Sequence, residues 1–233
     1  YEKKIQERPD TNFFLTYDTV SFDKLSFDNA ISLNDSSNPL VQTSKEIIED
    51  PSVYLENTSI YKYTKNFEPQ NLAEVFFNNE YSSLDKNTKC FKLNPYTIFY
   101  PWFHEYPQRF LAPGMFGPKD ISFIKFRYLK LKNLINLFGI YGYKPNDDDM
   151  ICGYKLIKDD DYRFVITAGT HRSAVLKALN YNEKKSIEVK YDDYRVEKSR
   201  QIINLKNIEN WPAVKSGYIS RYEAKKFFMG FFS

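Results

Sequence analysis

Glycine is scarce in this 233-residue chain, and all 8 glycines lie at or beyond Gly114. The first half must therefore build its turns from Asn, Asp, Ser and Pro, as in Asn34-Asp35-Ser36-Ser37-Asn38-Pro39. Cysteine is scarcer still. Cys90 and Cys152 stand far apart with no CxxC partner, which argues against a zinc site and a disulfide framework and leaves both as reduced, half-buried fillers. No apolar run approaches the ~18 residues of a membrane span. The N-terminus opens on a charged, proline-containing stretch rather than a signal sequence, so the cytoplasm is the expected compartment and Tyr1 is expected to be a trimmed start.

Charge of one sign is also lacking. The net charge of +3 arises from 33 basic and 30 acidic residues, and these are interspersed, whereas nucleic-acid binders gather positive charge on one face. The excess of Lys, Asn, Ile, Tyr and Phe matches the codon drift of an A/T-rich genome, so the surplus of Lys carries no functional weight. Asp147-Asp148-Asp149 and Asp159-Asp160-Asp161 flank the candidate site described below and would repel a polyanion; as solvated loops they need no function at all.

What the chain has is aromatic and apolar bulk. Tyr 19 and Phe 20 help bring aromatics to 18% and apolar residues to 42%, which excludes the depleted composition of a disordered chain. The length suits one large domain, or a small one with a substantial extension. Two Gly and two Pro within Pro113-Gly114-Met115-Phe116-Gly117-Pro118 read as an ordered seam. The expected division is an aromatic-rich, glycine-poor region over 1–117, an α/β module over 118–192, and a C-terminal extension over 193–233 with a terminal helix.

In the first region, Thr43-Ser44-Lys45-Glu46 offers a helix start that Pro51 soon stops. Ser59 to Phe67 is aromatic and partly alternating. Pro69 leads a short helix through Phe77, and Tyr96 to Trp102 reads as a strand ending at Pro101. After the seam, Leu131, Leu134, Ile135, Leu137 and Phe138 follow helical spacing, with Gly142 as the stop. Met150 to Ile157 and Tyr162 to Thr167 form a hairpin across Lys158-Asp159-Asp160-Asp161. A helix from Arg172 to Leu179 and a one-sided strand from Ser186 to Tyr191 complete the order helix, hairpin, helix, strand. Ser220-Arg221-Tyr222-Glu223 is a capping box that opens a terminal helix with an aromatic face.

The chemistry concentrates between the strand ending at Thr167 and the helix that follows. Ala168-Gly169-Thr170-His171-Arg172 combines a glycine, a hydroxyl and two basic side chains at a helix start. A helix N-terminus presents unpaired backbone N–H groups and roughly half a positive charge, so an oxyanion there satisfies donors that otherwise need a cap. Gly169 permits close approach, Thr170 offers a hydroxyl, Arg172 can pair bidentately with phosphate oxygens, and His171 can donate a hydrogen bond or a proton near neutral pH. Ordinary capping explains a Gly-Thr pair equally well. Arg172, however, opposes the helix dipole, and with His171 beside it calls for a compensating anion.

With Gly-x-His-Arg at its second helix, this order of elements resembles the ParB/sulfiredoxin superfamily, which includes sulfiredoxin, ParB nucleotide-binding domains and free serine kinases. The resemblance spans about Ile121 to Asp192. It implies an α+β fold, a small mixed sheet with helices preceded by the aromatic-rich N-terminal region packed on it. It also implies that Gly169, Thr170, His171 and Arg172 hold the phosphates of ATP, ADP or CTP, with Mg²⁺ bridging them. Thr170 stands where sulfiredoxin has its catalytic cysteine, which argues against sulfinic acid repair. Only about forty residues follow Asp192, with Trp211-Pro212 breaking any long helix, so a helix-turn-helix and specific DNA binding lose support. Trp211-Pro212-Ala213-Val214-Lys215-Ser216-Gly217 and Pro101-Trp102 are similar to ParB-like proteins found beside bacterial surface-polysaccharide genes.

The leading expectation is therefore a phosphotransferase, a small-molecule kinase acting on a hydroxyl substrate, with His171 and Arg172 stabilising the transferred group. Asp147 to Asp149 and Glu105 are candidate carboxylates. Trp102, Phe103, His104, Glu105, Tyr106 and Arg109 could cover the pocket, or else pack a seam with His104 satisfied by a backbone carbonyl. The alternative is a noncatalytic nucleotide sensor that contacts a protein partner; nuclease activity is not expected.

Overall fold

The computed structural model describes residues 17–27, 38–77, 89–109, 118–146, 149–180, 186–192 and 201–232. In chain order the elements are β1 (Tyr17–Ser21), β2 (Leu25–Phe27), α1 (Pro39–Glu49), α2 (Ser59–Asn66), α3 (Leu72–Phe77), β3 (Thr97–Ile98), β4 (Gln108–Arg109) and α4 (Ile121–Tyr141). There follow β5 (Cys152–Lys158), β6 (Asp161–Ala168), α5 (Thr170–Ala178), β7 (Ser186–Tyr191), β8 (Ile202–Asn204), α6 (Pro212–Lys215) and α7 (Arg221–Met229). The fold is mixed α and β.

The order helix, hairpin, helix, strand is present as α4, β5–β6, α5 and β7. The sheet is larger than that module. It runs β1-β7-β5-β6-β2, with β8 also on β5. β5 pairs antiparallel with β6 and parallel with β7, while β2 lies parallel to β6 and β1 antiparallel to β7. Strands therefore come from both sides of 118–192. The two N-terminal strands are too short to carry a period-2 signal of their own; pairing with β6 and β7 gives them their strand character.

Other local expectations shift for identifiable reasons. α1 starts one turn before Thr43: Asn38 Oδ1 accepts from the amides of Leu40 and Val41 at 3.1 and 3.2 Å, and Pro39 occupies the first helical position. Thr43 Oγ1 instead accepts from the Ile60 amide at 2.7 Å, joining α1 to α2. Ser59–Asn66 is helical, capped by Thr58, with Ile60 and Thr64 buried four residues apart. Only Thr97–Ile98 of the expected Tyr96–Trp102 strand pairs, because Phe103 and His104 both turn their amides onto the Tyr100 carbonyl. α4 is longer than its apolar spacing suggests, running from the Asp120 cap to Gly142 at φ 69°. The capping box at Ser220 and Glu223 is formed. The seam at Pro113–Pro118, Pro118 apart, lies outside the described residues, as do Asn34 to Ser37 of the expected early turn.

Two cores form, one on each sheet face, because side chains alternate along each strand. Phe164 and Ile166 of β6 join α1, α4 and α5 around Leu40, Leu131 and Val175. Val165, between them, points the other way into a layer of aromatics: Phe91, Phe99, Trp102, Trp211, Phe227, Phe228 and Phe231. Trp102 is 2% exposed and meets Trp211 and Phe228 edge-on at 5.5 and 5.8 Å. The C-terminal helix is thus a wall of the core. The Trp102 segment packs that core, on the face of the sheet away from α5.

Gly153 on β5 is where the hairpin has least room. A Cβ there would stand 2.0 Å from the Val165 carbonyl oxygen, a backbone atom that cannot swing aside. Gly153→Ala is expected to destabilise the fold by ~1–3 kcal/mol through overpacking, read as a lower denaturant midpoint; an unchanged midpoint would contradict the tight β5–β6 apposition.

Candidate functional site

The hairpin delivers the chain to α5 through Gly169, whose φ of 93° is costly for any residue with a Cβ. A side chain there would also press on Ile151, with its Cα at 3.1 Å. Glycine is thus needed both to turn and to let the helix start sit against Ile151, just ahead of β5. Gly169 has no side chain to cap the helix, no capping bond to its early amides is found among the described residues, and its first turn carries no acid. The early amides of α5 keep the donor capacity that a cap would use.

His171 sits in the second helical position, and its Nε2 is buried without a hydrogen-bond partner among the described residues. Burial is the main reason its pKa falls from 6.5 to about 3; the positive charges of Arg127, Lys130 and Arg172 add to the effect. At neutral pH the ring is uncharged. It can offer one N–H or one lone pair at Nε2, according to tautomer, but it does not supply the proton near neutral pH that the sequence suggests. An unmade buried hydrogen bond costs ~1–3 kcal/mol.

Two of the surrounding cations come from α4, which packs on α5. Arg127 stacks over Phe123 at 4.9 Å, and its charge also reaches Tyr63 and Lys119. Lys119 is held below its ordinary value, first by burial and then by Arg127. Sequence reasoning missed Arg127 and Lys130. Their signal was present in the i, i+3 spacing of two basic residues on a helix preceding the motif, but only the packing of α4 on α5 tells which way they face.

Arg172 is not idle. Its Nη2 donates to Asp149 Oδ1 at 2.6 Å and its Nη1 to the Met150 carbonyl at 3.4 Å. Asp149 is more than half exposed, so this ion pair is solvent-screened. One carboxylate of the expected Asp147-Asp149 run therefore does reach the motif, as a counter-ion to Arg172; Asp147 and Asp148 lie outside the described residues. Thr170 is the first residue of α5, and its carbonyl accepts from Ser173 Oγ at 3.0 Å.

The other sequence candidates lie elsewhere. His104 Nδ1 accepts the Tyr100 amide at 2.9 Å, and Glu105 is exposed beside it on the aromatic side of the sheet. On that side Thr167 Oγ1 donates to the buried carboxylate of Asp192, which fixes the end of β7 to β6. The half-buried Cys152 thiol donates to the Met150 carbonyl, with Sγ at 3.5 Å. Among the described residues no group of three His, Cys, Asp or Glu is placed to hold a metal ion, and no helix is long and apolar enough to cross a membrane.

His171 gives stability a pH dependence of definite sign. Between pH 3 and 6.5 the unfolded chain binds a proton on His171 that the folded chain refuses, so stability falls as pH drops through that window, by up to ~1.4 kcal/mol per pH unit for one proton. Above pH 6.5 the contribution is constant. Urea unfolding of the native chain and of His171→Gln at pH 7, 6 and 5 should give a shallower acid-side loss for the variant. Parallel curves would show that the ring titrates freely.

Compared with known proteins, the chain matches no family model, no curated protein and no solved structure. The site is therefore read from its own geometry.

Proposed function

We propose that the start of α5 binds the phosphate of a nucleotide, and that the protein is a nucleotide-dependent phosphotransferase of the ParB/sulfiredoxin-like kind. The observation that supports this best is a buried His171 Nε2 with no hydrogen-bond partner among the described residues, at a helix start whose N-cap is a glycine, with Arg127, Lys130 and Arg172 close enough to depress its pKa. Three like charges near one ring repel one another and oppose the helix dipole. A bound oxyanion would reverse each of these penalties, taking amide donors, accepting from the guanidinium and pairing with the imidazole.

In this reading Gly169 admits the phosphate to the backbone, and the amides of Thr170 and His171 cradle it. Arg172 leaves Asp149 to clamp the phosphate, while Arg127 and Lys130 neutralise charge from the α4 side. Neutral His171 donates an N–H, and gains a proton as the anion raises its pKa. Phosphoryl transfer depends mainly on positioning and charge neutralisation, which such a cluster supplies. Mg²⁺ bridging nucleotide phosphates takes one or two carboxylates from the protein. Asp149 is the described carboxylate at this mouth. ATP, ADP and CTP are the candidate nucleotides, and a small hydroxyl compound, such as a precursor of a surface polysaccharide, is the candidate acceptor.

Calorimetric titration with ADP in the absence of Mg²⁺ tests the site. Arg172→Ala and Arg127→Ala should each weaken binding ~10- to 100-fold, the worth of a charged hydrogen bond, and Asp149→Asn should tighten it by releasing Arg172. Affinity that is indifferent to both arginines removes the assignment. Incubation with ATP or CTP, Mg²⁺ and a panel of amino acids and sugars then separates the two functional classes. Phosphorylated product supports the kinase, whereas tight binding without turnover on any acceptor supports a nucleotide sensor.

A further inference from the structure

Among the described residues, the outer face of α4 presents a run of exposed apolar side chains that neither core uses. Ile124, Tyr128 and Leu131 bury one side of this helix against the body of the protein. On the opposite side Phe126, Leu129, Leu137, Ile140 and Tyr141 are 45% to 72% exposed. At 3.6 residues per turn they fall on one stripe, with Asn133 at its middle. A helix apolar on both sides is normally buried on both sides.

We propose that this stripe is a self-association surface, and that two copies of the chain pair through antiparallel α4 helices about a twofold axis at Asn133. Three observations point to a second copy. The stripe is self-complementary: about a centre at Asn133, Phe126 comes opposite Ile140 of the other copy and Leu129 opposite Leu137, while the two asparagine amides meet and can hydrogen-bond each other. Charge gives the direction. α4 has no acidic residue, and its basic ones, Lys125, Arg127, Lys130 and Lys132, all precede Asn133. Parallel pairing would place like charges side by side; antiparallel pairing sets each basic half against the uncharged half of its partner, whose carbonyl end is the negative pole of the helix. The area suffices as well. Those five side chains leave roughly 600 Å² in water, and with a polar rim this approaches the ~800 Å² that each partner brings to a standard interface.

The stripe faces away from the core, with Arg127 at its flank and the exposed Lys130 at its edge beside Leu137 and Tyr141; the variants below are therefore placed at Leu137, Asn133 and Phe126, which the anion site does not use. Sedimentation velocity on the whole chain should give a dimer at micromolar concentration. Leu137 is half exposed, so replacing it leaves the core intact, as circular dichroism will verify. Leu137→Lys puts a cation against the partner's basic half and should abolish the dimer. Leu137→Glu puts an anion there and should retain dimer over a concentration range where the Lys variant is monomeric. Asn133→Cys should cross-link to itself under oxidation, whereas Phe126→Cys should not.

A chain that stays monomeric to near-millimolar concentration overturns the proposal, as does equal loss of dimer in both Leu137 variants or self-linking of Phe126→Cys. Cosedimentation of the native chain with phosphatidylserine vesicles, strengthened by Leu137→Lys and weakened by Leu137→Glu, would overturn it in favour of a membrane surface.

Discussion

Positive charge gathered around an uncharged imidazole whose Nε2 is buried is the constraint from which the rest of this site follows. Arg127 and Lys130 approach from α4, Arg172 from α5 itself, and all three bear on a ring whose Nε2 has been taken out of water. Arg172 further opposes the dipole of its own helix. A folded chain tolerates such an arrangement only if other interactions hold it in place. Here they are the apolar packing of α5 beneath α1 and α4, and the Gly169 turn that fixes the helix start against Ile151. Asp149 offsets part of the repulsion from the solvent side, yet its exposure limits what that ion pair contributes.

The rigidity behind the site comes from the opposite face of the sheet. Phe99, Trp102, Trp211 and the aromatic side of α7 clamp β5, β6 and β8 from below. The Asp192 carboxylate, reached by Thr167 Oγ1, ties β7 to the last turn of β6 before Gly169. Strands carrying the site are therefore held from both faces, so the mouth of α5 cannot relax simply by tilting the helix. The C-terminal segment, read from the sequence as an extension, is structurally a third layer, and the N-terminal segment supplies both strands at the ends of the β1-β7-β5-β6-β2 path.

Much of this was legible in residues alone where the signal is local. The β5–β6 hairpin, the Gly169 turn, the capping box at Ser220 and the stop at Gly142 each depend on a few adjacent residues with fixed conformational demands. What escaped is nonlocal. β1 and β2 become strands only by pairing with β7 and β6, and Tyr96 to Trp102 reads as strand-like because aromatics favour sheets and core packing alike. The neutrality of His171 was hidden for the same reason: an imidazole titrates near neutral pH unless burial and the charges of a packed neighbour such as α4 lower it. Arg127 and Lys130 belong to the site through tertiary packing, not through the motif.

The central claim is that this cationic, desolvated mouth is built for an anion, and the two histidines allow it to be tested inside the intact protein. Labelled-histidine NMR over a pH series, with His104→Gln to assign the signals, reports the titration of His171 directly. The account predicts a ring still neutral at pH 5 in the free protein, whose pKa rises when ADP is added and whose signals lose that response in Arg172→Ala. A ring that titrates near 6.5 and is unmoved by ADP would contradict it.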